Sequence, residues 1–291
     1  MKIILTGSSG FIGSEVLTQA ISNPEITSII ALSRKPLPEN LTSNPKVSVV
    51  IIDDFTSYTP DVLKKLEGAE GCIWAIGAKS TNIEVTRKVT VEYTLAAVKA
   101  FSALPRPVGR PFRFVFLSGF VVVRDQNASV WFFPEARKVA VCSPPFFSLL
   151  LTYLCALVIL HIFIICPSPK LERVPSLTTE LDLTSLTSSP PSHPQGQAEL
   201  NLLSFAENNH NNNAAGFESY IARPTFVLSK EVGGFKGLVM MGLGLLPSVR
   251  VDVLARGLID VAVRGGEIRV LENGVLVERG RGERGERGEE R

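Results

Sequence analysis

Lys2-Ile3-Ile4-Leu5-Thr6-Gly7-Ser8-Ser9-Gly10-Phe11-Ile12-Gly13 is the most informative run in the chain. A short apolar strand pattern ends in a glycine-rich turn, and an apolar helical pattern starts directly after it. In that context each glycine has a task. Gly7 permits the tight turn leaving the strand, Gly10 lets backbone amides approach a pyrophosphate, and Gly13 lets helix and strand pack closely. The phosphates then lie at a helix N-terminus, where unpaired N–H groups and the helix dipole favour negative charge. Thr6, Gly7, Ser9, Gly10, Phe11, Ile12 and Gly13 are therefore expected to form a dinucleotide-binding loop.

Outward from this loop, short β-rich runs alternate with helical stretches. Residues 2–5, 28–32, 47–52, 71–76 and 112–117 read as strands, and 11–21, 60–66 and 83–104 as helices. The Val/Ile run at 47–52 is expected to be buried on both faces. Further on, 219–222 reads as a sixth strand leaving through Arg223-Pro224, and 251–263 as an amphipathic helix. Residues 268–271 and 275–277 flank Glu272-Asn273-Gly274, the pattern of a hairpin. The alternation predicts an α/β chain built as a Rossmann-type doubly wound parallel sheet. The Arg-Gly-Glu repeats from about Gly280 are too poor in apolar residues to fold and are expected to be disordered.

Composition narrows the field. A chain of 291 residues with 45% hydrophobic and 20% charged residues can bury a sizeable core. A formal net charge of +2 offers no electrostatic case for nucleic acid. Cys72, Cys142, Cys155 and Cys166 form no CxxC pair and no His/Cys metal spacing, so no metal is expected. Met1 to Leu5 is too short an apolar run for a signal peptide. Outside one unusual segment Cys72 stands alone, which suits a reducing compartment and a cytoplasmic location.

That segment runs from Val141 to Gln195, and it divides the Rossmann domain into parts at 1–140 and 196–279. Within it, residues 146–166 are nearly uncharged and long enough to cross a bilayer, and a Pro/Ser/Thr-rich stretch follows to Pro194. One reading is a transmembrane helix, which would make the protein membrane-associated. Against it, a single crossing would leave strands of one sheet on opposite sides of the membrane. The other reading is translated intron, because every valine codon begins GT and a glutamine codon can be CAG. Excision would join 135–140 to 196–203 as one helix with apolar residues at helical spacing.

Cofactor choice rests on the end of the second strand. An acidic residue there would accept the ribose 2′-OH of NAD, whereas this chain has Ser33-Arg34-Lys35. Two cations favour a 2′-phosphate, so NADP is expected, with NAD as the alternative. Asp53, in Asp53-Asp54-Phe55, is placed to accept from the adenine amino group; Ala75 and Gly77 leave room for a cofactor backbone. TGxxGFIG at the start, the basic turn, Asp-Phe after strand three, FVFLSG at strand five and ARPTFVLS at strand six resemble the atypical, extended-type short-chain dehydrogenase/reductase superfamily. The local patterns are most similar to its Tat-interacting-protein-like branch.

The resemblance implies an NADP-dependent oxidoreductase using a Ser or Thr, a Tyr and a Lys four residues later. Ser118 matches the serine, and Arg223 and Pro224 match the strand-six exit beside the nicotinamide. The Tyr/Lys pair has no counterpart. Val62, Ala97, Leu157 and Pro224 stand four residues after Tyr58, Tyr93, Tyr153 and Tyr220. On the helix expected to carry the pair, Ala136 and Ala140 occupy its places. Loss of a positioned proton donor removes on the order of 10²–10⁴ in rate. Two readings follow: an oxidoreductase with a degenerate site, acting on an unidentified small molecule, or a non-catalytic NADP sensor that regulates a protein partner.

Overall fold

The computed structural model describes residues 1–77, 82–107, 109–119, 122, 124, 194–210, 216–230 and 248–288. Its centre is a seven-stranded sheet whose neighbours all pair in parallel. In chain order these strands are β1 (Lys2–Thr6), β2 (Ser28–Ser33), β3 (Val47–Ile51), β4 (Gly71–Trp74), β5 (Phe112–Leu117), β6 (Phe217–Arg223) and β9 (Val270–Glu272). Across the sheet they run β3-β2-β1-β4-β5-β6-β9. The order reverses at β1, the switch point beside which a doubly wound sheet opens its binding crevice. This is the Rossmann-type architecture that the alternation predicted. β7 (Phe226–Leu228) and β8 (Ser248–Arg250) form a separate parallel pair absent from the sequence reading.

Alternate residues of each central strand serve opposite faces, as the two-residue period of a strand requires. Ile3 and Leu5 of β1 pack with Val16, Leu17 and Ala20 of α1 (Phe11–Ser22) and with Leu254 and Leu258 of α7 (Val251–Arg264). Ile4 joins the other core, with Leu66 of α3 (Pro60–Leu66), Phe101 of α5 (Tyr93–Ser102) and Leu202 of α6 (Pro194–His210). Each large apolar side chain so buried contributes roughly 1.5–3 kcal/mol. The two-layered helix cover explains why the sheet reads as unbroken apolar runs. The predicted helix over 83–104 forms as α4 (Ile83–Arg87), a π-helical turn (Lys88–Glu92) and α5.

Three expectations are corrected. The first concerns β3. It lies at the sheet's edge, and Ser48 and Ile51 face solvent, Ile51 with 46% exposure. Its Val/Ile run reflects strand propensity, while its place at the edge leaves each face only partly covered, Ser48 being exposed on one and Ile51 on the other. Second, no hairpin forms around Glu272-Asn273-Gly274. β9 pairs in parallel with β6, and the chain turns at once into α8 (Asn273–Gly288). Leu271 and Leu276 are both fully buried, and α8 packs against α7; that burial outweighs the local turn preference.

The third correction concerns the tail, since α8 continues helically to Gly288 where disorder was expected. Its beginning is anchored: Arg279 donates to Asp260 (3.0 Å) and to the Gly265 carbonyl (2.8 Å). Arg256 donates to the Gly280 carbonyl at 2.8 Å. A helix nucleated and docked in this way extends at one hydrogen bond per added residue.

Among the described residues no helix is long and apolar enough to cross a membrane. The run at 146–166 lies outside them; of the segment from Val141 to Gln195 only Pro194 and Gln195 are described, at the start of α6. β5, which precedes that segment, hydrogen-bonds in parallel with β6, which follows it, from Phe112↔Phe217 to Leu117↔Ala222. The two halves of the Rossmann domain thus share one sheet.

Candidate functional site

A groove of about 680 Å³ opens where β1, β2, β4 and β5 end, at the N-terminus of α1. Gly7, Ser9, Gly10, Phe11, Ile12 and Gly13 form its floor. Gly7 has φ +69°, a conformation that side-chain-bearing residues rarely adopt, and a Cβ there would lie 2.7 Å from the Ala75 carbonyl carbon. A Cβ on Gly13 would lie 2.6 Å from the Gly7 carbonyl carbon. The loop therefore folds tightly against β4 and α1, and only glycine fits at these two positions.

The first turn of α1 has no side-chain cap and no acidic residue. Gly10 N–H donates back to the Gly7 carbonyl at 2.8 Å, which closes the turn below the helix. The first amides of a helix have no intrahelical acceptor, and Phe11, Ile12 and Gly13, which carry them here, line the groove. Glu15, one turn deeper, would oppose an anion, but Lys230 pairs with it at 2.7 Å.

The groove brings together ten of the residues expected to bind cofactor. Besides the six of the loop these are Ser33, Arg34, Ala75 and Gly77. Arg34 lines the groove and takes part in no ion pair among the described residues. Lys35, its neighbour, does not line the groove. Thr6 stands just below: its hydroxyl accepts from the Ala75 amide at 3.2 Å and ties β1 to the exit of β4. Asp53 is exposed and also lies outside the lining, as do Arg223 and Pro224. Asp54 pairs with Lys88 at 3.4 Å. The Thr56 amide holds its carboxyl below the usual carboxylate range, and Lys88 adds to the effect.

Ser118 sits elsewhere. Its hydroxyl donates to Glu199 Oε1 at 2.6 Å, on the face covered by α6, while Leu117 lines the groove. Glu199 is wholly buried and also pairs with Arg223 and, at 2.8 Å, with Arg124. Burial alone would lower the Arg223 guanidinium pKa, but Glu199 and Glu272 outweigh it and raise the pKa above its ordinary value. Ser118, Arg223 and Arg124 are thus partners of one buried carboxylate.

Sequence reasoning did not single out Glu199, nor most of the groove's apolar wall. Glu199 shares a helix face with Ala198 and Leu202, both buried, so an acidic residue inside an apolar stripe was the available signal. Phe55, Val85, Val89 and Tyr93 form the apolar wall. The last three recur every fourth residue, so one helical face supplies them. Tyr93 packs on Phe55 at 5.6 Å between ring centroids, with Lys88 5.8 Å above its ring.

No protein-family model matches the chain. Over 122 residues it is 37% identical to leucinostatins biosynthesis cluster protein T of Purpureocillium lilacinum, covering 40% of this chain and 42% of that protein. Over 158 residues it is 27% identical to dTDP-glucose 4,6-dehydratase of Neisseria gonorrhoeae, covering 49% and 45%. The chain therefore matches less than half the length of either relative. Among solved structures, the yeast methylglyoxal/isovaleraldehyde reductase Gre2 complexed with NADPH aligns with TM-score 0.55 and 14% identity, over 94% of this chain and 77% of that one. At that identity the likeness is one of fold.

Proposed function

We propose that this chain is an NADP(H)-binding protein of the extended short-chain dehydrogenase/reductase type. The observation that carries the proposal is the uncapped N-terminus of α1 above a glycine turn too tight for any other residue. The amides at Phe11 to Gly13 would hold the pyrophosphate, and Arg34 would meet the 2′-phosphate. Leu32, Phe55, Val89 and Tyr93 would bury the adenine face. The partial match to a sugar-nucleotide dehydratase and the fold shared with an NADPH-bound reductase support the same reading. The Tat-interacting-protein-like branch rests on the sequence pattern alone.

Bound nicotinamide would supply hydride chemistry at the far end of the groove. The described residues of the groove would bind and orient it. Ser118 spends its single hydroxyl proton on Glu199. That favours the second reading, in which cofactor occupancy regulates a protein partner and turnover is slight. Calorimetric titration with NADPH and NADH tests the first claim, with tighter NADPH binding expected. Replacing Arg34 by Ala should weaken NADPH about tenfold or more and leave NADH unchanged. No uptake of either nucleotide at millimolar concentration would reject the proposal. Assay of the NADPH-loaded protein against aldehydes and ketones then separates enzyme from sensor.

A further inference from the structure

The turn after β2 carries two cations of equal charge, yet only Arg34 faces the groove. The hydrogen bonds of Ser33 account for the choice. Ser33 is the last residue of β2 and is 8% exposed. Its hydroxyl donates to the Lys35 carbonyl at 2.7 Å and accepts from the Lys35 amide at 3.3 Å. Its own carbonyl accepts from the Ile52 amide at 3.0 Å, which fixes the turn to the exit of β3. The turn is thus hydrogen-bonded at both ends, with Arg34 as its middle residue.

We propose that Ser33 is a positioning residue for nucleotide choice: its hydroxyl staples the turn that presents Arg34, and not Lys35, to the 2′-phosphate. The inference rests on the NADP reading above. A serine hydroxyl has one proton, and here Lys35 holds it. Ser33 therefore acts on the phosphate through Arg34 and not by donating to it. Without the staple the turn samples other conformations, and the guanidinium pays an ordering cost on binding.

The test is calorimetric titration of wild type, Ser33→Ala and Arg34→Ala with NADPH and with NADH. NADH reports an intact groove, so a loss confined to NADPH is the signature of positioning. Ser33→Ala is expected to lower the preference for NADPH over NADH about three- to tenfold, as loss of one or two neutral hydrogen bonds would. If Arg34→Ala abolishes the NADPH preference while Ser33→Ala retains it, the staple is overturned and the NADP reading stands. Equal weakening of both nucleotides by Ser33→Ala likewise overturns it, because the hydroxyl then merely supports the groove. If wild type shows no preference, both fall together.

Discussion

Glu199 carries a charge into a place with no solvent contact, and three partners make that tolerable: Arg223, Arg124 and Ser118. They come from the ends of β5 and β6 and from residue 124, so one carboxylate ties α6 to the sheet. Replacing it by Ala would leave the Arg223 guanidinium, whose side chain is only 14% exposed, with Glu272 at 3.6 Å as its remaining carboxylate. Breaking a buried pair in this way typically costs about 3–5 kcal/mol. Urea denaturation of Glu199→Ala should read a loss of that order at pH 7. A loss below about 1 kcal/mol would mean that the cluster is wetter and weaker than its geometry implies. The importance of Glu199 lies in what folding brings to it, and an acidic residue in an apolar helix stripe names no partner by itself.

At the scale of elements, α7 shows how charge placement and burial cooperate. Asp252 lies in its first turn, where the helix dipole favours an anion, and it pairs with Arg250 at 3.0 Å and Arg256 at 3.5 Å. Burial pushes the carboxyl pKa up, but the two arginines more than offset this and leave it lowered. A lowered folded-state pKa means that the stabilisation is fully present above the unfolded value of about 3.9. It fades as pH falls through the lower folded value. Asp252→Asn should therefore cost stability at pH 7, and its melting temperature should converge on that of wild type as acid protonates the wild-type carboxyl below the ordinary carboxylate range. A constant gap between the two down to pH 2 would contradict the assignment.

The elements also show what local pattern could and could not reveal. Helices α3 and α7 and strand β5 were legible because apolar period and end signals agree, as with Thr59 and Pro60 opening α3. β3 and the start of α8 were misread where long-range packing opposed the local signal. A Val/Ile run looks the same in an edge strand as in a central one. An Asn-Gly pair turns or begins a helix according to what the next leucine can bury against.

For the whole molecule, the β5–β6 ladder is the constraint with the widest consequence. It requires the chain on either side of residues 141–195 to fold as one body. A variant lacking those residues retains every strand of the sheet and loses a long apolar run, so it should give more soluble protein than the full chain. Equal soluble yields would contradict this and favour a working role for the segment. Fractionation of the expressed full chain, with membrane-bound against soluble recovery, tests the anchored reading.

Most strands and helices, the glycine turn after β1 and the basic turn after β2 were written in the order of residues. Each depends on neighbours a few positions away, or on a glycine where no Cβ fits. Strand order, the edge position of β3, the lining of the groove by Arg34 and not Lys35, and the engagement of Ser118 by Glu199 emerged only with the fold in three dimensions. Those features depend on which surfaces meet across dozens of residues: a hydroxyl 81 positions from a carboxylate is its partner only once β5 and α6 pack together.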